Sequence, residues 1–267
     1  MFDKPIDVNI HSDTVDKALD IAKPSLQKTL DKVSDGLTKC MDLFGAIVGP
    51  HMDKYIMEYP YKKDALQKEI EQKYNAIPEE YRTDPKINIA GPVFENLKYN
   101  LDEEHIKELF TNILISDMDS RKQSKVLPSY VEIVRQLSQA DAEYLNILKA
   151  KINMHDLVCE APIIKLKYTL STGGFIPASN DIVLIYDNTN YFVLPSIVID
   201  NLSRLQIIDI DFSKFKVDET KYKTVFNKIS EMDDFKNIPF YATKLDYFKG
   251  ILTITDFGKP FLEICLS

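Results

Sequence analysis

Few residues of this sequence have both the type and the spacing that chemistry requires. His155 and Cys159 are four residues apart, so on a helix the two side chains would share one face and could bind a metal ion. A zinc site normally has three or four protein ligands, and no further histidine or cysteine lies close by in the sequence. We therefore predict no metal site and no bound cofactor.

A glycine pair, Gly173 and Gly174, resembles the start of a phosphate-binding loop only superficially. Such a loop continues into Gly-Lys-Ser or Gly-Lys-Thr and stands between a strand and a helix, and neither condition is met here. Because the pair separates two β-rich runs, the sequence predicts a hairpin turn at this point.

Two pairs of aspartates, Asp117 with Asp119 and Asp209 with Asp211, place carboxylates two residues apart. On a strand this spacing puts both on one face, as acid–base catalysis or cation binding would require. No histidine or glycine loop accompanies either pair, so we predict solvated loop acids. The Gly-x-Ser-x-Gly and His-Glu-x-x-His signatures are also missing from the sequence. We expect a protein that is not an enzyme, with a site assembled from distant residues as the alternative.

The composition is that of an ordinary globular protein, with 267 residues, 45% hydrophobic and 28% charged. Its three cysteines, at positions 40, 159 and 265, are too few and too far apart for a disulfide framework and favour a reducing compartment. The start of the chain lacks a secretion pattern, and no stretch approaches the roughly 18 apolar residues of a membrane span. We expect a soluble cytoplasmic protein.

The net charge of −8 argues against a dominant phosphate-binding surface. Residues 155–267 contain 12 basic and 15 acidic residues, and residues 1–154 contain 21 and 26. Neither half is basic, so neither hides a basic module.

The N-terminal part predicts one long amphipathic helix over residues 12–48, with a kink at Pro24. Its polar face mixes acidic and basic residues, which favours packing against other helices within the chain. A dimerising coiled coil is the first alternative, and a helix lying in a membrane surface is a disfavoured second one. The apolar positions are Val15, Leu19, Ala22, Leu26, Leu30, Val33, Leu37, Cys40, Phe44 and Ile47.

Further helices are predicted across residues 62–151, after a break at Gly49 and Pro50. The clearest is centred on residues 101–118, where apolar side chains recur at three- and four-residue steps after Asp102 as a cap. Ser138 and Asp141 have the spacing of a capping box that opens the last of these helices. Residues 1–154 are therefore predicted to form a helical domain.

The pattern changes near residue 155 to strands at 163–168, 182–186, 206–210 and 250–254, with helices at 194–205, 219–230 and 255–265. A helix, a strand, a later strand and a final helix follow the order of a winged helix-turn-helix unit. We therefore predict a mainly α protein, with an N-terminal helical bundle followed by an α+β, winged-helix-like domain over residues 155–267.

Several stretches resemble one bacterial family, most specifically Pro128-Ser129-Tyr130-Val131-Glu132-Ile133. The others are residues 89–97, 108–119, 126–138, 200–205 and 252–265. Together they resemble the Abi-alpha family, which is grouped under abortive phage infection and has no assigned biochemical activity. The likeness covers roughly residues 60–267 and departs at Gln206, where we expect a glycine after the helix.

This resemblance implies a bacterial phage-defence protein that acts through protein–protein contacts without catalysis. Self-association through the 12–48 helix is a second expected contact. A winged-helix DNA-binding regulator is one alternative, and an effector that acts on membranes through the N-terminal helix is another. Partner or DNA contacts are predicted at Ser196, Asn201, Ser203 and Arg204, although one arginine is little for anchoring phosphates.

Overall fold

The computed structural model describes residues 36–55, 59–154, 159–187 and 189–266. Helices fill most of the chain up to residue 151, and strands begin at residue 160. The described helices are α1 (Gly36–Tyr55), α2 (Tyr59–Asn75), α3 (Ile87–Leu97), α4 (Glu104–Asp117), α5 (Pro128–Val134), α6 (Gln139–Lys151), α7 (Ser196–Arg204), α8 (Thr220–Ser230), α9 (Asp233–Lys236) and α10 (Gly258–Cys265). The described strands are β1 (Glu160–Leu170), β2 (Phe175–Pro177), β3 (Ile182–Ile185), β4 (Tyr191–Leu194), β5 (Ile208–Asp211) and β6 (Ala242–Ile254).

Contacts between residues divide the chain into two compact units. Among the described residues, the first unit contains the chain up to 102 together with 113–131, and the second contains 103–112 and everything from 132 onward. The predicted domain division at residue 155 stays a prediction, although the change from helices to strands falls there.

The first unit is built on apolar faces of α1, α2 and α3. Phe44 of α1 meets Phe94 of α3 edge to face, with the ring centroids 5.4 Å apart. On α2 the apolar face of Leu66, Ile70 and Tyr74 is buried. The described end of the long N-terminal helix therefore packs inside its own unit, and residues 12–35 of that prediction lie outside the described residues.

The predicted break at Gly49 and Pro50 is wrong, because α1 continues through both residues to Tyr55. Pro60 lies in the first turn of α2, where a missing N–H breaks no intrahelical bond. Pro92 lies inside α3. At Gly49, Pro50 and Pro92 the surrounding helix outweighs the local preference of glycine or proline.

The second unit is organised around an antiparallel sheet in the order β4-β3-β1-β6-β5, with β2 added as a hairpin partner of β1. The two longest strands, β1 and β6, pair along most of their length. Helix α8 covers one face of this sheet. Its buried Tyr222, Val225 and Ile229 pack against β1 and β3 through Ile164, Leu166, Val183 and Ile185.

The predicted order of α7, β5, a later strand and a final helix is present, and β5 pairs antiparallel with β6. The sheet is larger than the sequence predicted, because β6 begins at Ala242 rather than near Gly250. The helices and the antiparallel sheet of the C-terminal half agree with the predicted fold class. The finer winged-helix assignment is not confirmed.

The end of α7 is closed by backbone hydrogen bonds around Gln206, whose φ of 59° lies in the left-handed region. The N–H of Gln206 donates to the carbonyl of Ser203 (2.9 Å), and that of Ile207 donates to the carbonyl of Leu202 (3.0 Å). This is the Schellman arrangement, in which glycine is usual at the left-handed position. The glycine expected from the family pattern therefore corresponds to a real backbone requirement that Gln206 meets under strain.

The start of α10 lies directly against this turn. A Cβ on Gly258 would come within 2.1 Å of the Ile207 carbonyl oxygen, so only glycine fits. The hydroxyl of Thr255 accepts a hydrogen bond from the Gly258 N–H (2.8 Å) and donates to the Gln206 carbonyl. Residues 206–207 and 255–258 thus lock the helix α7, strand β6 and helix α10 together.

The cysteines at 40, 159 and 265 are all buried and unbridged. Burial raises the pKa of the Cys40 thiol to about 12 and also raises the pKa of Cys265. In the described part of the chain, no helix has the length and apolar character needed to cross a membrane.

Candidate docking cleft beside helix α7

Helix α7 buries one face and exposes one large apolar side chain. Val198, Ile199 and Leu202 are buried, whereas Ile197 exposes 78% of its surface. The Asp181 carboxylate accepts a hydrogen bond from the Ser196 N–H at 2.9 Å, which fixes the start of the helix from outside. Ile197 is therefore held in place on a helix that is anchored at both ends.

Next to Ile197 is an open cleft of about 620 Å³ between α7 and the start of α6, and it lies within the second unit. We call it the α7 cleft. Its apolar walls include Leu137, Ala140 and Val198. The lining residues are Arg135, Gln136, Leu137, Ser138, Ala140, Asp141, Ile197, Val198, Asp200, Asn201 and Arg204.

The predicted capping box forms one side of the α7 cleft. The Asp141 N–H donates to the Ser138 hydroxyl (3.1 Å), and the Ser138 N–H donates back to the Asp141 carboxylate (2.8 Å). That carboxylate also accepts a hydrogen bond from the Asn201 side chain (2.8 Å). The buried Asp141 carboxylate therefore links the N-terminal cap of α6 to helix α7.

The structure brings two of the four predicted contact residues, Asn201 and Arg204, into the α7 cleft. The Arg204 guanidinium donates to the Gln136 side-chain oxygen (2.9 Å) and to the Asn201 side-chain oxygen (2.7 Å). The Asn201 amide also donates to the Gln136 backbone carbonyl (3.2 Å). These polar groups are therefore already bonded within the chain, which favours a role in shaping the cleft.

Ser196 and Ser203, the other two predicted contact residues, do not line the α7 cleft. Ser196 is the first residue of α7, and the Ser203 carbonyl accepts the bonds that close that helix. The sequence analysis missed Ile197, Gln136 and Asp141. The sequence signal that could have identified this site is the position of Ile197, because it is an apolar residue that lies outside the buried apolar stripe of α7.

The charges around the α7 cleft nearly balance. Arg135 and Arg204 provide the cations, and Asp141 and Asp200 provide the anions. Arg135 also forms an ion pair with Glu132 at 2.8 Å. A surface that anchors a DNA backbone normally recruits several unpaired cations, so this arrangement suits noncovalent binding of a protein better than binding of a duplex.

Of the predicted metal pair, His155 lies outside the described residues, and Cys159 is buried. Among the residues that the structure describes, no group of three or more histidine, cysteine or acidic side chains could hold a metal ion. Gly173 and Gly174 adopt φ values of 87° and 81° in the turn between β1 and β2, which confirms the predicted hairpin.

The prediction that Asp117 and Asp119 are solvated acids is wrong, because both are buried in the first unit. The Asp117 carboxylate accepts the Lys86 N–H (2.6 Å) at the start of α3, and burial raises its pKa. The Asp119 carboxylate is held by the Arg121 guanidinium (2.9 Å), which lowers its pKa. Both acids therefore fix loops in place, a role that the sequence spacing did not reveal.

Asp209 and Asp211 both lie in β5 and not in a loop; Asp209 is exposed, as predicted, whereas Asp211 is half-buried. The Asp211 carboxylate accepts hydrogen bonds from the Ser213 hydroxyl and N–H and pairs with Lys214 (3.0 Å). These partners lower the pKa of Asp211 to about 2. The carboxylate is saturated by its own loop, so it is poorly suited to accept a proton in catalysis.

The class defined by this fold is a helical protein with an antiparallel sheet in its C-terminal half and an open cleft beside α7. The family model described as Abortive infection alpha matches residues 58–265, and the chain therefore belongs to that family. Membership suggests a role in abortive infection, a defence against phage. Comparison of the chain with curated proteins and with solved structures gives no match.

Proposed function

We propose that the chain is a non-enzymatic abortive-infection protein that acts in the cytoplasm by binding a partner protein in the α7 cleft. The observation that carries the proposal is Ile197, which is 78% exposed on a firmly anchored helix. Ile197 differs from other exposed apolar side chains because it adjoins the apolar cleft walls of Leu137, Ala140 and Val198. Such an apolar patch with a polar rim is typical of a surface that binds another protein.

The expected occupant is a protein segment with an apolar side chain next to an acidic one. The apolar side chain would cover Ile197 and reach the walls formed by Leu137 and Val198. The acidic side chain would lie near Arg135 and Arg204, which are exposed at the same cleft. The α7–β5–β6–α10 order supports a docking module of winged-helix type, and self-association through residues 12–48 would increase the strength of binding by a single cleft.

The decisive experiment replaces Ile197 by serine in cells that carry the chain and are challenged with phage. We expect Ile197→Ser to lose protection while its melting temperature stays close to that of the wild type, because the side chain contributes little to the core. The matched control is Val217→Ser, which also removes an exposed aliphatic side chain (96% exposed) but lies away from the α7 cleft.

Two results would overturn the proposal. The first is wild-type protection by Ile197→Ser, which would make the α7 cleft irrelevant. The second is a shift of duplex DNA by the wild-type chain at low salt that Arg204→Ala abolishes. That result would assign α7 to DNA contact, where log affinity falls linearly with log salt.

A further inference from the structure

One face of the sheet carries three phenylalanine side chains in a row, Phe175, Phe248 and Phe212. The ring centroids of Phe175 and Phe248 are 4.7 Å apart, and those of Phe248 and Phe212 are 6.5 Å apart. Phe175 is 53% exposed and Phe212 is 37% exposed. We call these three residues the aromatic row, and they belong to the second unit.

The strand register places the aromatic row on one side of the sheet. Phe248 of β6 lies opposite Lys165 of β1, and Phe175 of β2 lies opposite Thr169 of β1. Antiparallel partners point to the same face, and alternate residues of a strand share a face. The aromatic row, Lys165 and Lys167 therefore lie on the face opposite the one that α8 covers.

Phe212 joins the row because position 250 has no side chain. A Cβ on Gly250 would come within 2.7 Å of the Phe212 ring, so the glycine leaves the space that this ring occupies on the sheet. The position of Phe212 in the row therefore depends on the close pairing of β5 with β6 at Gly250.

Lysines accompany the aromatic rings. The Lys167 ammonium lies 3.9 Å from the Phe248 ring centroid and 5.3 Å from that of Phe175. Lys165 lies opposite Phe248, and Lys244 lies opposite Thr169. An acid on the same face, Asp246, lies opposite Lys167 and pairs with Lys244 at 3.1 Å, so three lysines face one carboxylate. The local charge is therefore positive, although the chain as a whole carries −8.

We propose that the aromatic row binds single-stranded nucleic acid. Bases of a single strand can stack on exposed rings irrespective of sequence, and its phosphates complement Lys165 and Lys167. Duplex bases are already stacked on one another, so a duplex cannot use the rings in this way. This surface is distinct from the α7 cleft and is tested independently of it.

The test measures the fluorescence anisotropy of a labelled oligothymidylate of about 15 bases, titrated with the full-length chain at about 50 mM salt. We expect saturable binding that weakens as the salt concentration is raised. A parallel titration with a labelled oligouridylate shows whether the chain prefers a DNA strand or an RNA strand. Phe175→Ala and Lys167→Glu should each weaken binding about tenfold, because they remove a stacking ring or reverse a phosphate-facing charge.

Two substitutions on the other side of the sheet provide matched controls. Phe215 is also exposed beneath a lysine, with the Lys249 ammonium 4.0 Å from its ring centroid, and Lys249 alternates with Phe248 along β6. Lys223 is an exposed lysine of α8. Phe215→Ala and Lys223→Glu should leave the affinity within about twofold of the wild-type value.

Three results would overturn the proposal. One is the failure of the folded wild-type chain to bind either oligonucleotide at low salt. Another is an equal loss of affinity in the control variants and in Phe175→Ala. The third is binding of a duplex, or of polyglutamate of matched charge, as tightly as the single strand, because charge alone would then explain the contact.

Discussion

One junction in each unit is fixed in a different way. In the first unit, side chains do this work. Asp117 accepts the Lys86 N–H, and the Gln123 amide donates to the backbone carbonyls of Asp84 (3.0 Å) and Asp117 (2.7 Å). In the second unit, the junction of α7, β6 and α10 depends mainly on the backbone, through the left-handed Gln206 and the close contact of Gly258 with Ile207, together with the Thr255 hydroxyl.

This difference predicts which kind of substitution each unit tolerates. Where side-chain charges hold a loop, a change of chemistry or of pH should matter more than a change of shape. Where two backbones touch, an added methyl group should matter more than a change of charge. Three predictions, from the largest expected effect to the smallest, test this contrast.

The largest effect is expected for Gly258→Ala in the second unit. The new methyl group would lie 2.1 Å from the Ile207 carbonyl oxygen, so the strand or the helix must move, at a cost of about 3 kcal/mol. Urea unfolding followed by circular dichroism measures this loss. The matched control in the first unit is Gly45→Ala, where the added Cβ would meet nothing within 4 Å beyond its own stretch of helix. Because alanine favours a helix more than glycine does, this variant should gain up to about 1 kcal/mol of stability.

Equal destabilisation by both alanine substitutions would contradict the contrast, because it would show that backbone contact in the second unit is not special.

The next effect concerns pH in the first unit. As the pH rises, ionisation of Asp117 should lower the stability of the folded chain, whereas ionisation of Asp119 should raise it. Burial raises the folded pKa of Asp117 above its ordinary value of 3.8, so its ionisation costs stability as the pH rises through that range. Arg121 lowers the folded pKa of Asp119, so its contribution is present above 3.8 and is lost as the pH falls through the folded pKa.

At about pH 7, Asp119→Asn should therefore destabilise the chain by about 1–2 kcal/mol, and this deficit should shrink in acid. Asp117→Asn should behave in the opposite way, with stability relative to the wild type greater at about pH 7 than at about pH 4. Thermal unfolding across this pH range measures both. If the stabilities of the two variants relative to the wild type changed with pH in the same direction, the surroundings of Asp117 and Asp119 would not differ in the way that their hydrogen bonds indicate.

The smallest effect is a gain of about 1 kcal/mol for Gln206→Gly, because glycine adopts a φ of 59° without the strain that a Cβ creates. Gln206→Ala is the matched control, since alanine keeps the Cβ and should give no gain. Both substitutions also remove an exposed hydrogen bond from the Gln206 side chain to the Ser203 carbonyl (3.2 Å), which contributes little to stability in water. No difference between glycine and alanine in urea unfolding would contradict the strain at this turn.

Helices with a regular apolar pattern were predictable from the sequence. The capping box of Ser138 and Asp141 and the helix centred on residues 101–118 formed as local spacing predicted, because neighbours in sequence decide both. The family resemblance was confirmed by a match to residues 58–265. Even the expected glycine at position 206 identified a left-handed turn that the chain does contain.

Features that depend on distant residues were not predictable. The burial of Asp117 depends on Lys86, 31 residues earlier, and no local pattern encodes that contact. The α7 cleft depends on Asn201 meeting Asp141, 60 residues away. The aromatic row depends on the register of three strands, which a single sequence does not specify.

The placement of the three buried thiols has a practical consequence. Cys40 belongs to the first unit, and Cys159 and Cys265 belong to the second. Each becomes open to an alkylating reagent only when its surroundings open, because burial shields the thiol from the reagent. Mass spectrometry of partially alkylated chains would therefore report the opening of each half separately, with no engineered label.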